Sequence, residues 1–263
     1  MKVLRALLAA LASTAALAAP AAAQDEDRFT VTPYIWLPNI EGDLRFNIPP
    51  GAGGSPIVKV GPSDYLENLE MALMIAGEAK FDRVSVFTDI IYLDFSSQGS
   101  SVVMVTGPEG NEFPIDAGSE VDLSGLLWTL AGGYEFVRGD SFTLQAFAGL
   151  RYFSAEAGLD WSLAGPLNQF PQSGSIDRES ESWDGLVGVR GEGRAGNWIF
   201  PYYVDVGGGD SELTWQALAG VGYRWGWGDL RLNYRHLAYE QSDTDLIQEA
   251  AFSGPALGAT FRF

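Results

Sequence analysis

The chain has 263 residues, of which 46% are hydrophobic and 13% aromatic, and its formal net charge at pH 7 is −18. This apolar content excludes a disordered acidic tail, because disordered segments lack the residues that build a core. Sixteen basic against 34 acidic residues exclude a general nucleic-acid binder, since phosphate contact needs a basic surface. With no cysteine, disulfides, cysteine-ligated metal sites and thiol catalysis are also excluded.

The N-terminal segment has the three parts of an export signal. Lys2 and Arg5 give it a positive start, residues 6–19 form an apolar run of Ala and Leu, and residues 21–24 contain an A-x-A cleavage site. A run of about 14 apolar residues is too short to span a membrane comfortably. The sequence therefore predicts a signal peptide at residues 1–23 and an exported mature chain at residues 24–263.

The mature chain alternates in polarity with a period of two, which is typical of β-strands. Over residues 213–225, one parity reads Leu, Trp, Ala, Ala, Val, Tyr, Trp and the other reads Thr, Gln, Leu, Gly, Gly, Arg. The same inversion occurs over residues 71–82, 183–194, 198–206 and 230–239. Alternation alone does not separate a soluble sandwich from a membrane barrel, so the turns and the aromatic residues must decide.

Short turns and long polar segments alternate along the chain. The short turns lie near residues 82–83, 138–140, 195–197 and 226–229, and the long polar segments lie at about 48–69, 97–121, 163–181, 207–212 and 241–250. Short periplasmic turns opposite long extracellular loops are typical of outer-membrane barrels. The sequence predicts an all-β, up-and-down antiparallel transmembrane β-barrel of about ten strands. Eight or twelve remain alternatives, because residues 34–47 could be one long strand or a hairpin.

Aromatic residues gather next to the short turns and the C-terminus. This placement predicts an interfacial girdle, because amphipathic rings prefer the level of the lipid headgroups. A soluble sandwich has no reason to collect aromatic residues at one end of its outward face. The predicted girdle comprises Tyr134, Phe136, Phe142, Trp198, Tyr223, Trp225, Trp227, Phe261 and Phe263.

The final strand, residues 256–263, alternates and ends in Phe. Together with residues 32–36 (Thr-Pro-Tyr-Ile-Trp) and 234–237 (Tyr-Arg-His-Leu), it resembles small Gram-negative outer-membrane barrels of the OmpW-like or OmpA-transmembrane-domain-like kind. The resemblance covers almost the whole mature chain and is nearly silent on activity. It implies a location in the outer membrane and recognition by the barrel-assembly machinery through a lipid-facing set, Leu257, Ala259, Phe261 and Phe263.

Charged residues of the predicted strands share the parity opposite to the apolar one, which places them in the lumen. A Lys or Arg facing hydrocarbon at mid-depth costs about 2–4 kcal/mol, so the basic residues should point inward. More than half of the basic residues after the signal segment have this parity. The predicted lumen network comprises Glu78, Lys80, Asp89, Glu135, Arg151, Asp184, Arg190, Glu192, Arg194, Asp205, Arg224, Arg231, Arg235 and Arg262.

Register relative to the turns divides this network into two layers. The layer nearer the middle of the barrel should contain Asp89, Arg190, Asp205 and Arg235. Charges of both signs at one depth should pair, because an unpaired buried charge is costly. We therefore expect a salt-bridged, largely occluded floor on the short-turn side, formed by Glu78, Lys80, Glu135, Glu192, Arg194, Arg224, Arg231 and Arg262.

Acidic residues concentrate instead in the long segments. These loops should face anionic lipopolysaccharide, and divalent cations could bridge the two because carboxylates ligate Ca²⁺ and Mg²⁺ well. A solvated charge run is the alternative reading. Ser63 is also a candidate N-cap for a short loop helix. The acidic residues in question are Glu109, Glu112, Asp116, Glu120, Asp177, Glu179, Glu181, Asp243, Asp245 and Glu249.

The sequence offers little for catalysis. His236, followed by Glu240 and Ser242, is the single histidine, but it shares the lipid-facing parity of Tyr234. Asp89 and Asp205 could form an acidic pair, although nearby arginines favour ion pairing. No nucleotide-binding loop or zinc-protease motif occurs in the right context. We therefore predict no catalytic residue, no metal site and no cofactor.

The function predicted from the sequence is non-enzymatic. It is either an envelope structural element or a narrow porin-like channel for small solutes with a charged lumen. Two alternatives stay open at this point: a lipid- or peptide-modifying enzyme, and a surface adhesin acting through acidic extracellular loops.

Overall fold

The computed structural model describes residues 29–44, 57–106, 112–164, 173–240 and 247–263. The predicted signal peptide lies outside these residues. None of the helices among them has the length and apolar character needed to cross a membrane. The elements are β1 (Phe29–Trp36), β2 (Asn39–Leu44), β3 (Ile57–Val60), α1 (Pro62–Tyr65), a 3₁₀ turn (Leu66–Asn68), β4 (Leu69–Phe81), β5 (Val84–Thr106), β6 (Glu112–Arg138), β7 (Phe142–Ala164), β8 (Ser173–Ala195), β9 (Trp198–Gly209), β10 (Leu213–Trp225), β11 (Gly228–Glu240) and β12 (Ile247–Arg262).

Ten of the described strands close into an antiparallel ring. β1 is followed by β4, each later strand pairs with the next along the chain, and β12 returns to β1. The closing ladder pairs Thr30 with Arg262 and Trp36 with Ala256. This confirms the predicted barrel of about ten strands.

The chain that follows β1 continues to pair with β12. β2 resumes the pairing with β12 beyond a break at residues 37–38, with Asn39 opposite Ser253. β1 and β2 therefore form one strand that is interrupted at residues 37–38. As far as residue 44, this decides for the single long strand over the hairpin. β3 pairs with β2 and is an additional strand outside the ring.

Odd-numbered and even-numbered side chains of each strand face different surroundings. In β8, Ser182, Asp184 and Leu186 are buried, whereas Val187 and Val189 on the opposite parity are exposed. Because side chains alternate across a strand, the buried set points into the barrel and the exposed apolar set points outward. An apolar outer surface around a polar interior is the arrangement of a membrane barrel.

The turns at one end are tight, as predicted. Asp82–Arg83, Gly196–Asn197 and Gly226–Trp227 are two-residue turns between neighbouring strands. Gly196 has a φ of 60° and Asp82 a φ of 54°. This left-handed region suits the turns of two-residue hairpins, and Gly and Asp tolerate it better than most residues.

At the other end, much of the chain predicted as long loops is paired strand. β5 and β6 pair as far as Thr106 opposite Glu112, and β7 pairs with β8 as far as Ser162 opposite Ser173. The loop assignments over most of residues 97–121 and 173–181 are therefore wrong. A crossing strand needs about 9–11 residues, so these 23- to 27-residue strands extend well beyond the membrane.

The outer surface carries two aromatic girdles rather than the single one predicted. The second contains Trp128, Tyr152, Trp183 and Trp215, with the Trp183 ring centroid 4.6 Å from that of Tyr152 and 6.3 Å from that of Trp128. Along β7 and β10, the two girdles are about ten residues apart, the length of a tilted crossing strand. The girdles therefore mark the two membrane interfaces.

Candidate functional site

The interior of the barrel holds the predicted charge network. Every member of the network contacts other inward-facing side chains, as described below. Four arginines of this network form a cluster near the short turns, which we call the mouth cluster: Arg194, Arg224, Arg231 and Arg262 around Glu192 and Asp229.

Two carboxylates serve all four guanidinium groups of the mouth cluster. Glu192 accepts from Arg194 Nε at 2.7 Å and from Arg224 Nη2 at 3.1 Å. Asp229 accepts from Arg231 Nη2 at 2.7 Å and is also paired with Arg262. Among the described residues, the three arginines Arg194, Arg224 and Arg231 meet these two carboxylates, so the mouth cluster keeps a positive excess even when Arg262 is left out of the count.

The facing wall of the mouth is centred on Glu135. Glu135 accepts from Lys80 Nζ and from Arg138 Nε, each at 2.6 Å. Arg138 also reaches Asp82 at 2.9 Å, and Arg83 Nη1 donates to the backbone oxygen of Glu135 at 3.4 Å. In the part of the chain that the structure describes, three basic and two acidic groups therefore meet on this wall.

Arg190 lies one level deeper. It pairs with Glu78, donates from Nε to Gln145 Oε1 at 2.5 Å, and its guanidinium carbon lies 3.7 Å from the centroid of the Phe87 ring. Glu78 and Arg190, predicted in different layers, are therefore direct partners.

The middle of the barrel is filled by two buried ion pairs. Arg151 Nη2 lies 2.5 Å from Asp205 Oδ2, and both side chains are fully buried. Arg235 Nη1 lies 2.8 Å from Asp89 Oδ2. Gln216 joins the pairs, because its Oε1 accepts from Arg235 at 2.7 Å and from Arg151 at 3.5 Å.

Tyrosines complete this middle layer. Tyr34 donates to Asp89 Oδ1 at 2.6 Å, and Tyr203 donates to Asp205 Oδ2 at 2.5 Å. Asp89 and Asp205 thus bind different arginines and different tyrosines. The arrangement is one of two separate ion pairs rather than of an acidic catalytic pair.

On the side of the middle layer that is farther from the short turns, the lumen holds an apolar cluster, which we call the plug. Leu237 and Tyr239 are its most deeply buried members, at 2% and 3% exposure, and Phe153 and Phe252 pack against it. Cross-strand pairing sets Leu127 of the plug opposite Phe153, one position from the Trp128–Tyr152 pair of the second girdle. The plug therefore lies at the level of the second girdle. Its buried residues are Trp36, Met74, Ile91, Leu127, Leu237, Tyr239 and Ala256.

Below the middle layer the lumen contains a cavity of about 650 Å³. It is lined from the turn residue Asp140 up to Tyr34 and Arg235, and it includes the arginines of the mouth cluster. The short-turn side is salt-bridged as expected, but it is not the occluded part. The expectation of an occluded floor is wrong, because the plug closes the barrel at its opposite end.

Asp184, the remaining acid of the predicted network, lies beside the plug end of the lumen. It is fully buried and accepts hydrogen bonds from the backbone N–H and the hydroxyl of Ser211, each at 2.9 Å. It therefore fixes the turn between β9 and β10.

His236 lies on the outer surface, as its parity predicted. Its Nδ1 is 2.5 Å from Ser253 Oγ, and its ring centroid is 4.5 Å from that of Trp215 in the second girdle. Among the described residues, no carboxylate hydrogen-bonds to His236, and Ser242 lies outside them. A base needs an orienting partner to activate a serine efficiently, and this pair shows none.

The acidic segments contain no metal centre among the residues that the structure describes. Glu109, Asp243 and Asp245 lie outside the described residues. Among those described, no three carboxylate or imidazole groups gather so as to hold a metal ion. The loop helix α1 begins at Pro62, so the prediction of Ser63 as the residue preceding it is wrong.

Sequence reasoning missed Asp229 and the plug. Asp229 was assigned to a short turn, yet it is fully buried and binds three arginines. Its parity, shared with Arg231 and Arg235, was the available signal. The plug was hidden because parity shows which way a residue points and not how deep it lies.

A closed ten-stranded antiparallel ring with an apolar band, two aromatic girdles and a polar interior is the fold of outer-membrane β-barrels. No protein-family model matches the chain, and no curated protein matches it in sequence. The outer-membrane protease OmpT from Escherichia coli has a similar fold, with a TM-score of 0.50 at 10% identity over 92% of this chain and 99% of that one.

Two other solved barrels are less similar in geometry. The translocator domain of the autotransporter NalP from Neisseria meningitidis gives a TM-score of 0.44 at 16% identity over 96% of this chain and 92% of that one. The toluene transporter TodX from Pseudomonas putida gives 0.38 at 10% identity over 91% and 90%. The predicted resemblance to Gram-negative outer-membrane barrels is confirmed at the level of the fold.

Proposed function

We propose that this protein is a non-enzymatic element of the bacterial outer membrane whose lumen is closed at rest. The observation that carries the proposal is the filled cross-section. The Arg151–Asp205 and Arg235–Asp89 pairs occupy the middle of the barrel, and the plug lies above them. Solute has no continuous path through such an interior.

In this proposal the extended hairpins are the working surface. β5–β6 and β7–β8 carry acidic residues beyond the second girdle, where lipopolysaccharide and divalent cations are the expected partners. Insertion through the barrel-assembly machinery, guided by Leu257, Ala259, Phe261 and Phe263, belongs to the same proposal.

The test is single-channel conductance of refolded protein in planar bilayers. We expect no steps from the native barrel and discrete steps from the plug variant Trp36→Ala/Leu237→Ala or from Arg235→Ala, because these changes remove side chains that fill the lumen. Ile35→Ala is the matched control, since Ile35 neighbours Trp36 but is 62% exposed on the outer face. Discrete steps from the native barrel would contradict the resting closure.

One observation favours a second candidate, a narrow channel for small solutes. The cavity of about 650 Å³ already extends from the turn residue Asp140 to Tyr34 and Arg235 of the middle layer, so only the middle layer and the plug would have to move. Native conductance that changes in ion preference with Arg190→Ala would establish this candidate over the closed element.

A further inference from the structure

The mouth cluster holds more hydrogen-bond donors than its acceptors use. Arg194 has one contact to a carboxylate and Arg231 two, whereas each guanidinium carries five N–H groups. Arg231 Nε is buried and has no hydrogen-bond partner. The side chains of Arg194 and Arg224 remain about one-third exposed, at 32% and 33%, on the cavity side.

The N–H donors that remain without a carboxylate acceptor all belong to guanidinium groups. Guanidinium groups bind phosphate and carboxylate oxygens with paired N–H donors, and their positive charge does not titrate away. The positive excess lies in a partly enclosed mouth, where low-dielectric walls focus the field more strongly than on an open surface.

We infer that the mouth cluster is a binding site for a phosphate-type anion, either free phosphate or the phosphate of a lipid headgroup. Arg224 and Arg231 bridge Glu192 and Asp229, so the two carboxylates hold the arginines in place while leaving a net positive charge. The neighbouring Trp225 and Trp227 belong to the girdle on the short-turn side, so headgroup phosphates reach the same level as the site. The inference goes beyond the proposed function, because it requires only that the mouth be open.

The test is isothermal titration of the refolded protein in a non-ionic, phosphate-free detergent. Inorganic phosphate is the first probe, and dihexanoyl phosphatidic acid, a short-chain lipid, is the second. We expect saturable binding of at least one probe, weakened about tenfold or more by Arg224→Gln, because a charge-assisted hydrogen bond is lost. Arg83→Gln is the matched control, since Arg83 lies on a short turn and its guanidinium donates to the backbone oxygen of Glu135 rather than to Glu192 or Asp229.

A second variant separates loss of charge from loss of folding. Glu192→Gln keeps the shape of the side chain and raises the positive excess of the mouth cluster, so it should tighten binding several-fold, opposite in direction to Arg224→Gln. Heat-modifiable gel migration checks that each variant is folded.

The two probes identify the source of the anion. Binding of inorganic phosphate assigns the site to free phosphate, and binding of the lipid alone assigns it to a headgroup. Absence of binding to both probes, or equal weakening by Arg224→Gln and Arg83→Gln, would overturn the inference. Because titration reports binding without transport, a native barrel that conducts would refute the resting closure and leave this result intact.

Discussion

Arg151 shows how a single residue can be both costly and necessary. Its side chain is fully buried, and it donates to Asp205 on β9 and to Thr214 and Gln216 on β10. Removing two charges from water costs several kcal/mol per ion, and the pairing offsets this only when the geometry is good. The residue therefore stabilises the barrel only while Asp205 is present.

We expect Asp205→Ala to destabilise the barrel by about 3–5 kcal/mol, because it leaves Arg151 buried without its counter-ion. Urea unfolding of the refolded protein, followed by tryptophan fluorescence and gel migration, measures the change. The double variant Arg151→Met/Asp205→Leu should recover most of the loss, since no buried charge remains.

The control for this pair lies on the surface. Asp82 also pairs with an arginine, Arg138, but its side chain is 80% exposed. An exposed ion pair contributes about 0–1 kcal/mol, so Asp82→Ala should be nearly neutral. Equal losses from Asp205→Ala and Asp82→Ala would show that burial does not govern these pairs.

His236 leads to a prediction about chemistry. Because it faces outward beside Trp215 and pairs only with Ser253, we expect no hydrolysis of phospholipid, lipopolysaccharide or peptide that depends on it. The measurement compares native protein with His236→Ala and Ser253→Ala in detergent and in vesicles. An activity present in the native protein and lost in both variants would establish the enzyme alternative.

At the scale of elements, the strands differ in what the membrane requires of them. The segments between the girdles must present apolar residues outward to the lipid. For this reason the sequence shows their alternation of polar and apolar residues. The outer parts of β5 and β8, at residues 97–106 and 173–181, lack this regular alternation. Polarity alone cannot distinguish such a strand from a loop.

Removing the outer part of one hairpin tests this division. We expect replacement of residues 97–121 by a short turn to leave the barrel closed, because the ladders between the girdles remain. Heat-modifiable migration and circular dichroism in detergent are the measurements. Unchanged adhesion to host or surface ligands after this deletion would argue against the adhesin alternative, whereas a barrel that no longer forms would show that the outer ladder is needed for folding.

At the scale of the whole molecule, the short turns and the mouth cluster should face the periplasm. The chain has no cysteine, so single cysteines can be introduced without background. In intact cells, an impermeant maleimide should label Glu212→Cys, in the turn after β9, and leave Asp140→Cys unlabelled until the outer membrane is opened. The reverse pattern would invert the proposed orientation.

The sequence therefore predicted the barrel, the short turns and the inward parity of the charges, because hydrocarbon imposes a strict rule on each crossing strand. It did not predict which charged side chains pair with each other. Arg235 meets Asp89 rather than Asp205, since these contacts span the lumen between strands that are far apart in the chain. Nor did it predict the cavity, which depends on how inward side chains of ten strands share one cross-section.

The closing strand of the ring has a consequence for assembly. From β4 to β12 each ring strand pairs with its neighbour in the chain, so these hairpins can form locally at small cost in loop entropy. β1 is different: eight residues cover the edge of β4 and the last part of β12, which lie far from each other in sequence. Until β1 is in place the sheet has two bare edges, and bare edges recruit other chains. Closure of this ring thus depends on its shortest strand.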